Sequence, residues 1–211
     1  MTTPFDEMTT LQKNKLYNLL GVHIYRYKKN EEILQAMKSL NIIGIIMEGS
    51  AQINYLEYNG NEIMIENLDK DSVFGTNISL TNSENCQIIA EEDCEVLVID
   101  YDRLINPRNL KYSYFNIFFR NLFDIINTKF KERNERIKVL EKKQIRDKLL
   151  EYFDMTYKKT HSKFIYLPFS FKDFADYIGV NRSAMFRELS HLKDDNFIEV
   201  KDKRRKLLYK Q

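Results

Sequence analysis

The sequence predicts an α+β chain in three successive parts: an antiparallel β-roll, one long helix, and two short helices followed by a hairpin. Three observations carry this reading. The N-terminal half is a series of short β-branched or alternating runs separated by turn residues. Residues 112–140 contain neither Gly nor Pro and place apolar side chains at helical spacing. The stretch Ser170–Leu192, SFKDFADYIGVNRSAMFRELSHL, divides into two helical patterns about Gly179.

In the first part, Leu11–Leu20 reads as a short amphipathic helix and Val22–Tyr27 as the start of an extended pattern. Ile42–Met47 is a compact β-branched run ended by Glu48-Gly49. Ala51–Tyr58 and Glu62–Leu68 flank Asn59-Gly60, the strongest hairpin signal in the chain, because a two-residue turn between twisted strands needs positive φ. Val73-Phe74-Gly75 leads into a loop, and Cys86–Ala90 and Cys94–Asp100 add further strands. Many short strands at this spacing imply a small antiparallel barrel or roll around an enclosed interior.

The long helix is expected over Tyr112–Leu140. Phe115, Phe119, Leu122 and Ile126 follow at intervals of 4, 3 and 4, the rhythm of a coiled-coil seam, and form the candidate dimer interface. Phe118, Phe123 and Ile125 are expected to pack the helix on its own roll. One side then meets the roll and another a partner subunit.

In the third part, Ser170 with Asp173 is a capping-box-like helix start, and Phe174, Ala175 and Ile178 recur on one face. Gly179 supplies the turn and Asn181 caps the next helix. There Met185, Leu189 and Leu192 fall on one side, and Arg182, Ser183, Phe186, Arg187 and Ser190 on the other. A helix-turn-helix needs this division, since one side holds the helix on its scaffold while the other enters a major groove. Two amphipathic helices of an ordinary core would look similar, and the flanks separate the two readings. FIYLPFS upstream reads as an extended segment stopped by Pro168; FIEVKDKRRKLLY downstream reads as two strands about a charged turn, the wing of a winged helix. Lys201, Lys203, Arg204, Arg205, Lys206 and Lys210 face a single acid there, Asp202, which suits phosphate contacts.

Net charge over the 211 residues is only +2, but it is segregated. Residues 1–111 carry 10 basic and 17 acidic side chains, a net of −7; residues 112–211 carry 23 and 14, a net of +9. An acidic sensing module joined to a basic nucleic-acid module has this distribution. MTTPFDEMTT is neither basic nor apolar, so no targeting signal is expected, and no apolar run reaches the roughly 20 residues of a membrane span. The two cysteines, Cys86 and Cys94, do not make a secreted disulfide framework. A soluble cytoplasmic protein is expected, without a membrane partner.

The order of β-roll, long dimerisation helix and winged helix-turn-helix resembles the CRP/FNR family of bacterial transcription regulators along the whole chain. IIMEGSAQI, the Asn-Gly hairpin, VFG and CEVLVID are similar to the roll motifs in their order, and IYLPFSFKDFADYIGVNRSAMFREL to the DNA-binding signature. The resemblance implies a cyclic-nucleotide-binding-domain-like roll over 1–111, a dimerisation helix over 112–141 and a DNA-binding domain over 142–211. It implies double-stranded DNA and a second copy of the chain as partners, with RNA polymerase added if the protein activates. Arg182, Ser183, Phe186 and Arg187 occupy the family's base-facing positions, with Arg187 suited to bidentate bonds to guanine O6 and N7. Ser170, Asn181 and Ser190, with Lys203, Arg204, Arg205 and Lys206 of the wing, are the expected backbone contacts. Many relatives carry an acid where this chain has Ser183, so the preferred site is expected to differ from the family's best-known one. Phe186 replaces a small residue; it either contacts a thymine methyl or packs on the neighbouring helix.

The sensor half departs from nucleotide-binding members. Phe74, Gly75, Thr76 and Asn77 mark the effector pocket, but the family's phosphate-holding Arg-Ser pair is replaced by Glu84-Asn85. An acid beside a phosphate repels it, so cyclic nucleotide is not expected. An iron–sulfur cluster normally needs four cysteines, and haem an axial ligand that lone His23 does not convincingly supply; no cofactor is evident. Only one histidine lies in residues 1–111, which excludes a cupin-like metal site, and no catalytic constellation assembles, so an enzyme is not expected. The alternative is a ligand-binding signalling subunit whose winged helix contacts protein instead of DNA.

Overall fold

A computed structural model of the chain describes residues 3–33, 41–58, 60, 62–75, 85–167, 170–202 and 206–209. Two compact units divide it, Met1–Thr128 and Lys129–Gln211, each with its own core.

The first unit opens with α1 (Thr10–Leu20), closed at its N-terminus by a capping box in which Thr9 and Gln12 satisfy each other's backbone. Its strands are β1 (His23–Tyr27), β2 (Ile42–Glu48), β3 (Ala51–Leu56), β4 (Glu62–Leu68), β5 (Val73–Gly75), β6 (Cys86–Ala90) and β7 (Cys94–Asp100). They form two antiparallel sheets, ordered β1-β7-β2-β5 and β4-β3-β6. Gly60, at φ 83°, stands in the β3–β4 connection; Asn59 lies outside the described residues.

The two-residue period of a strand explains the layering. On β2, Ile42 and Ile46 enter the core shared by the two sheets, while Ile43 and Ile45 point the other way. On β7, Val96 and Val98 alternate with Leu97 and Ile99 in the same manner. The second face is covered by α1 and by α3 (Ser113–Leu140), which follows α2 (Tyr101–Leu104) and a 3-10 turn over Pro107–Lys111. Both short elements are additions to the sequence reading.

That cover corrects the seam assignment on α3. Phe115 and Leu122, expected to face a partner subunit, are buried with Phe118 against Ile43, Ile45, Leu97 and Ile99 of their own roll. Ile125 and Ile126 pack at the edge of the same core. Phe123, expected on the roll, is 55% exposed, and Phe119 is 39% exposed. The strands present two adjacent rows of aliphatic side chains, and the helix turns its Phe115–Phe118–Leu122 stripe into them.

The second unit holds α4 (Ile145–Thr160), β8 (Phe164–Tyr166), α5 (Phe171–Tyr177), α6 (Arg182–Asp194), β9 (Ile198–Asp202) and β10 (Lys206–Tyr209). The three strands make one antiparallel sheet in the order β8-β10-β9. The extended segment expected upstream of the two helices is thus a third strand beside the wing. Leu149, Tyr152 and Phe153 of α4 pack with Phe174, Ile178, Met185, Leu189, Leu192, Ile198 and Tyr209 in a single core. Burial pushes the Tyr152 hydroxyl up to about 12, and Tyr209 rises for the same reason.

Candidate nucleic-acid interface

The outward face of α6 is set by its cap and its period. Asn181 Oδ1 accepts from the amides of Ser183 (2.9 Å) and Ala184 (3.4 Å), so the helix starts where the cap residue demands. Met185, Leu189 and Leu192 are buried. Arg182, Ser183, Phe186, Arg187 and Ser190 are all exposed, as the 3.6-residue repeat requires. Arg182 lies 5.6 Å from the Phe186 ring centroid. The Phe186 ring lies 5.1 Å from that of Phe171, tilted by 50°, yet Phe186 remains 41% exposed. It packs on the preceding helix and still shows part of its ring.

The turn between α5 and α6 is held by cations that the sequence reading did not single out. Gly179 takes φ +63°, and a Cβ there would press on Leu140 at 3.0 Å. Lys148 Nζ donates to the carbonyls of Ile178 (3.0 Å) and Gly179 (3.4 Å). Arg136 Nε donates to the Tyr177 carbonyl at 3.1 Å. Cationic donors at the end of a helix satisfy its orphan carbonyls and complement its dipole. At the other end of α6, Arg146 meets Glu188 (3.4 Å) and Asp195 (2.7 Å) and lies over the Phe197 ring at 5.0 Å. The hydrogen bond that it donates to the Asp195 carboxylate raises the Arg146 guanidinium above its ordinary range. The signal for these residues was the α4 pattern itself, Ile145, Leu149, Tyr152 and Phe153, with Arg146 and Lys148 between its apolar positions.

Several expected contacts lie elsewhere. Lys203, Arg204 and Arg205, which follow β9 in the sequence, fall outside the described residues. Lys206 begins β10, opposite Asp202 and Tyr166, with its side chain likewise outside them. Ser170 is exposed, and its carbonyl accepts from the Phe174 amide at 2.9 Å; the Asp173 side chain is not described. His191 is exposed and lies 3.5 Å from Glu188.

In the roll, Phe74 and Gly75 of the expected effector residues are described. Phe74 is fully buried between the sheets, filling the space left by Gly44, where a Cβ would overlap its ring. It belongs to the core between the sheets. Gly75, at φ +128°, brings the chain so close to the Ile42 carbonyl that any Cβ would clash. Thr76, Asn77 and Glu84 lie outside the described residues. Cys86 and Cys94 form no disulfide and are buried, at the start of successive strands. Burial pushes the Cys94 thiol up, away from reactivity. Among the described residues no three His, Cys, Asp or Glu side chains group as a metal site, and no helix is long and apolar enough to cross a membrane.

A two-sheet roll, a long helix and a three-helix, three-stranded winged-helix fold define the class: a β-roll protein with a winged-helix C-terminal domain. Residues 24–106 match the cyclic nucleotide-binding domain family. No curated protein sequence matches the chain. Among solved structures, a CooA variant from Carboxydothermus hydrogenoformans is 20% identical, covering 98% of this chain and 88% of its own, with a TM-score of 0.60. CprK complexed with OCPA is 18% identical over 92% of this chain and 88% of its own, TM-score 0.67. The catabolite activator protein of Thermus thermophilus is 14% identical over 98% and 93%, TM-score 0.51. The resemblance to CRP/FNR regulators therefore holds, at the level of the fold, along essentially the whole chain.

Proposed function

We propose that the protein is a sequence-specific DNA-binding transcription regulator, not an enzyme, acting as a homodimer on a two-fold symmetric site. The observation that carries this reading is the division of α6: three apolar side chains buried in the core, and two arginines, two serines and an aromatic ring exposed together. Neither arginine forms an ion pair among the described residues, so both guanidinium groups are available to an anion or a base edge. The basic wing of residues 201–210 supplies the phosphate-directed charge. In this reading 1–111 is the sensing roll, 112–141 the dimerisation helix and 142–211 the DNA-binding domain.

Two copies associate through the face of α3 that the roll leaves uncovered. Phe119, Phe123, half-buried Ile126 and Phe130 follow at intervals of 4, 3 and 4, and Phe123, Phe130 and Ile137 recur every seven residues. A single recognition helix reads few base pairs, whereas two held one DNA turn apart, about 34 Å, read a palindrome.

The roll is read as one that does not take cyclic nucleotide. Between Lys70 and Arg103 the chain has no Lys or Arg, while Asp71, Glu84, Glu91, Glu92, Asp93, Glu95, Asp100 and Asp102 crowd the same segment. A cyclic phosphate buried there would meet acids and no cation. An effector acts only if it binds one state better than the other, and this segment favours one without a strong anionic group.

Selection of preferred duplexes by the purified full-length protein, with salt dependence, tests the reading. A two-fold symmetric site and an affinity falling steeply with salt are expected. Arg187→Ala should lose about 1–3 kcal/mol of discrimination at one guanine per half-site. No preference for any duplex over an arbitrary polyanion overturns it.

A further inference from the structure

We infer that Phe186 reads the C5 methyl group of a thymine in each half-site. This deepens the DNA-binding reading above and rests on it. The outward face of α6 is otherwise polar, with Arg182, Ser183, Arg187 and Ser190 around the ring. A large apolar group left 41% exposed in such company gains by being covered. Of the four base pairs, only those with thymine place an apolar group in the major groove, and phenylalanine is one of the side chains that meets it.

The ring is already positioned for the contact. Phe171 backs it at 5.1 Å, so one side of the ring is packed while part of it stays open. A side chain with two rotatable bonds, supported in this way, loses little freedom on binding. The Arg182 guanidinium, 5.6 Å from the ring centroid, is held beside it and leaves its donors free for phosphate or base edge. The remaining base-facing residues, Arg182, Ser183 and Arg187, are hydrogen-bonding groups; the apolar feature of the site falls to Phe186 alone.

Deoxyuridine lacks only the methyl group of thymidine, so it probes the contact without altering the protein. In the selected duplex, each thymine is replaced in turn by deoxyuridine, in both half-sites, and affinity is measured by fluorescence anisotropy with the full chain. One thymine is expected whose replacement weakens binding about threefold to fivefold per half-site. Phe186→Ser should bind thymine and deoxyuridine duplexes equally, and Phe186→Leu should retain part of the difference. The inference is overturned if no replacement weakens the wild-type protein, or if the penalty persists in Phe186→Ser. The first of those results, with the selected site otherwise intact, leaves DNA binding standing and removes only the methyl contact; failure to select any duplex removes both.

Discussion

Arg146, in the first turn of α4, donates to Asp195 across 2.7 Å, joining that helix to the residue that closes α6. The same guanidinium reaches Glu188 at 3.4 Å and covers the Phe197 ring. Arg146 touches none of the exposed face of α6, and it sets where that face ends. Arg146→Met keeps the apolar stem and removes the hydrogen bonds. The urea midpoint of the full chain should fall, and affinity should weaken for all duplexes alike, with the preferred sequence unchanged. Groups in one network do not add: Asp195→Asn should cost less in the Arg146→Met background than in the wild type. Full additivity of the two substitutions would show that the pair is not coupled.

The two aromatic rows of α3 make opposite predictions. Phe123 is exposed and Phe115 is buried, although both lie on one helix eight residues apart. Phe123→Asp places a charge in the proposed subunit seam and should shift the sedimentation coefficient from dimer to monomer with little change in the helical signal. Phe115→Ala opens a cavity in the roll and should cost about 3–5 kcal/mol of stability, acting first on the roll. A dimer undisturbed by Phe123→Asp would move the interface to another surface.

How much of this was legible in the sequence depended on what each pattern leaves undetermined. The face of α6 was legible, because Asn181 fixes the helix start and the buried Met185, Leu189 and Leu192 then follow from its period. The seam was not. Phe115-Phe119-Leu122-Ile126 and Phe119-Phe123-Ile126-Phe130 have the same 4-3-4 spacing, and periodicity gives a stripe without saying what covers it. The outer rows of β2 and β7 cover Phe115 and Leu122 of the first stripe, a contact that the spacing does not reveal. Phe74 follows the same logic, since its burial depends on Gly44, a residue thirty positions earlier that meets it only across β2 and β5. The helix α4 does not stand out in the sequence because its apolar stripe is diluted by charged side chains, among them Arg146 and Lys148, which bond to Asp195 and to the Ile178 carbonyl.

Alkaline titration should weaken the second unit before carboxylate chemistry matters. Tyr152 is buried against Phe153, Phe174 and Tyr177, and its hydroxyl rises from the ordinary 10 to about 12 because the anion would lose its water. The folded state then holds the proton more tightly than the unfolded chain, so stability is fully present below pH 10 and falls between pH 10 and 12. The loss for this one group is roughly 2–3 kcal/mol. Tyr177 and Tyr209, raised in the same direction by burial, add to it. Urea midpoints measured across pH 9–12 should decline, and Tyr152→Phe should flatten the decline. An unchanged slope in that variant would assign the effect to other groups.

Cyclic nucleotide should give no heat of specific binding in calorimetry with the full chain. Residues 24–106 are similar to the cyclic nucleotide-binding domain family, so the expected lack of binding rests on charge. A phosphodiester anion moved out of water needs a cation or several converging donors. From Asp71 to Asp102 the chain supplies eight acidic side chains and no basic one. Two cations that meet this segment do not relieve the deficit: Lys28 is paired with Asp93 at 2.6 Å and Arg26 with Glu95 at 2.9 Å, both at the surface. The Lys28–Asp93 contact raises the lysine and lowers the aspartate, so neither gives up its charge near neutral pH. The space between the sheets is taken by Phe74 and its aliphatic neighbours. Micromolar affinity for cyclic AMP or cyclic GMP would overturn the reading from charge.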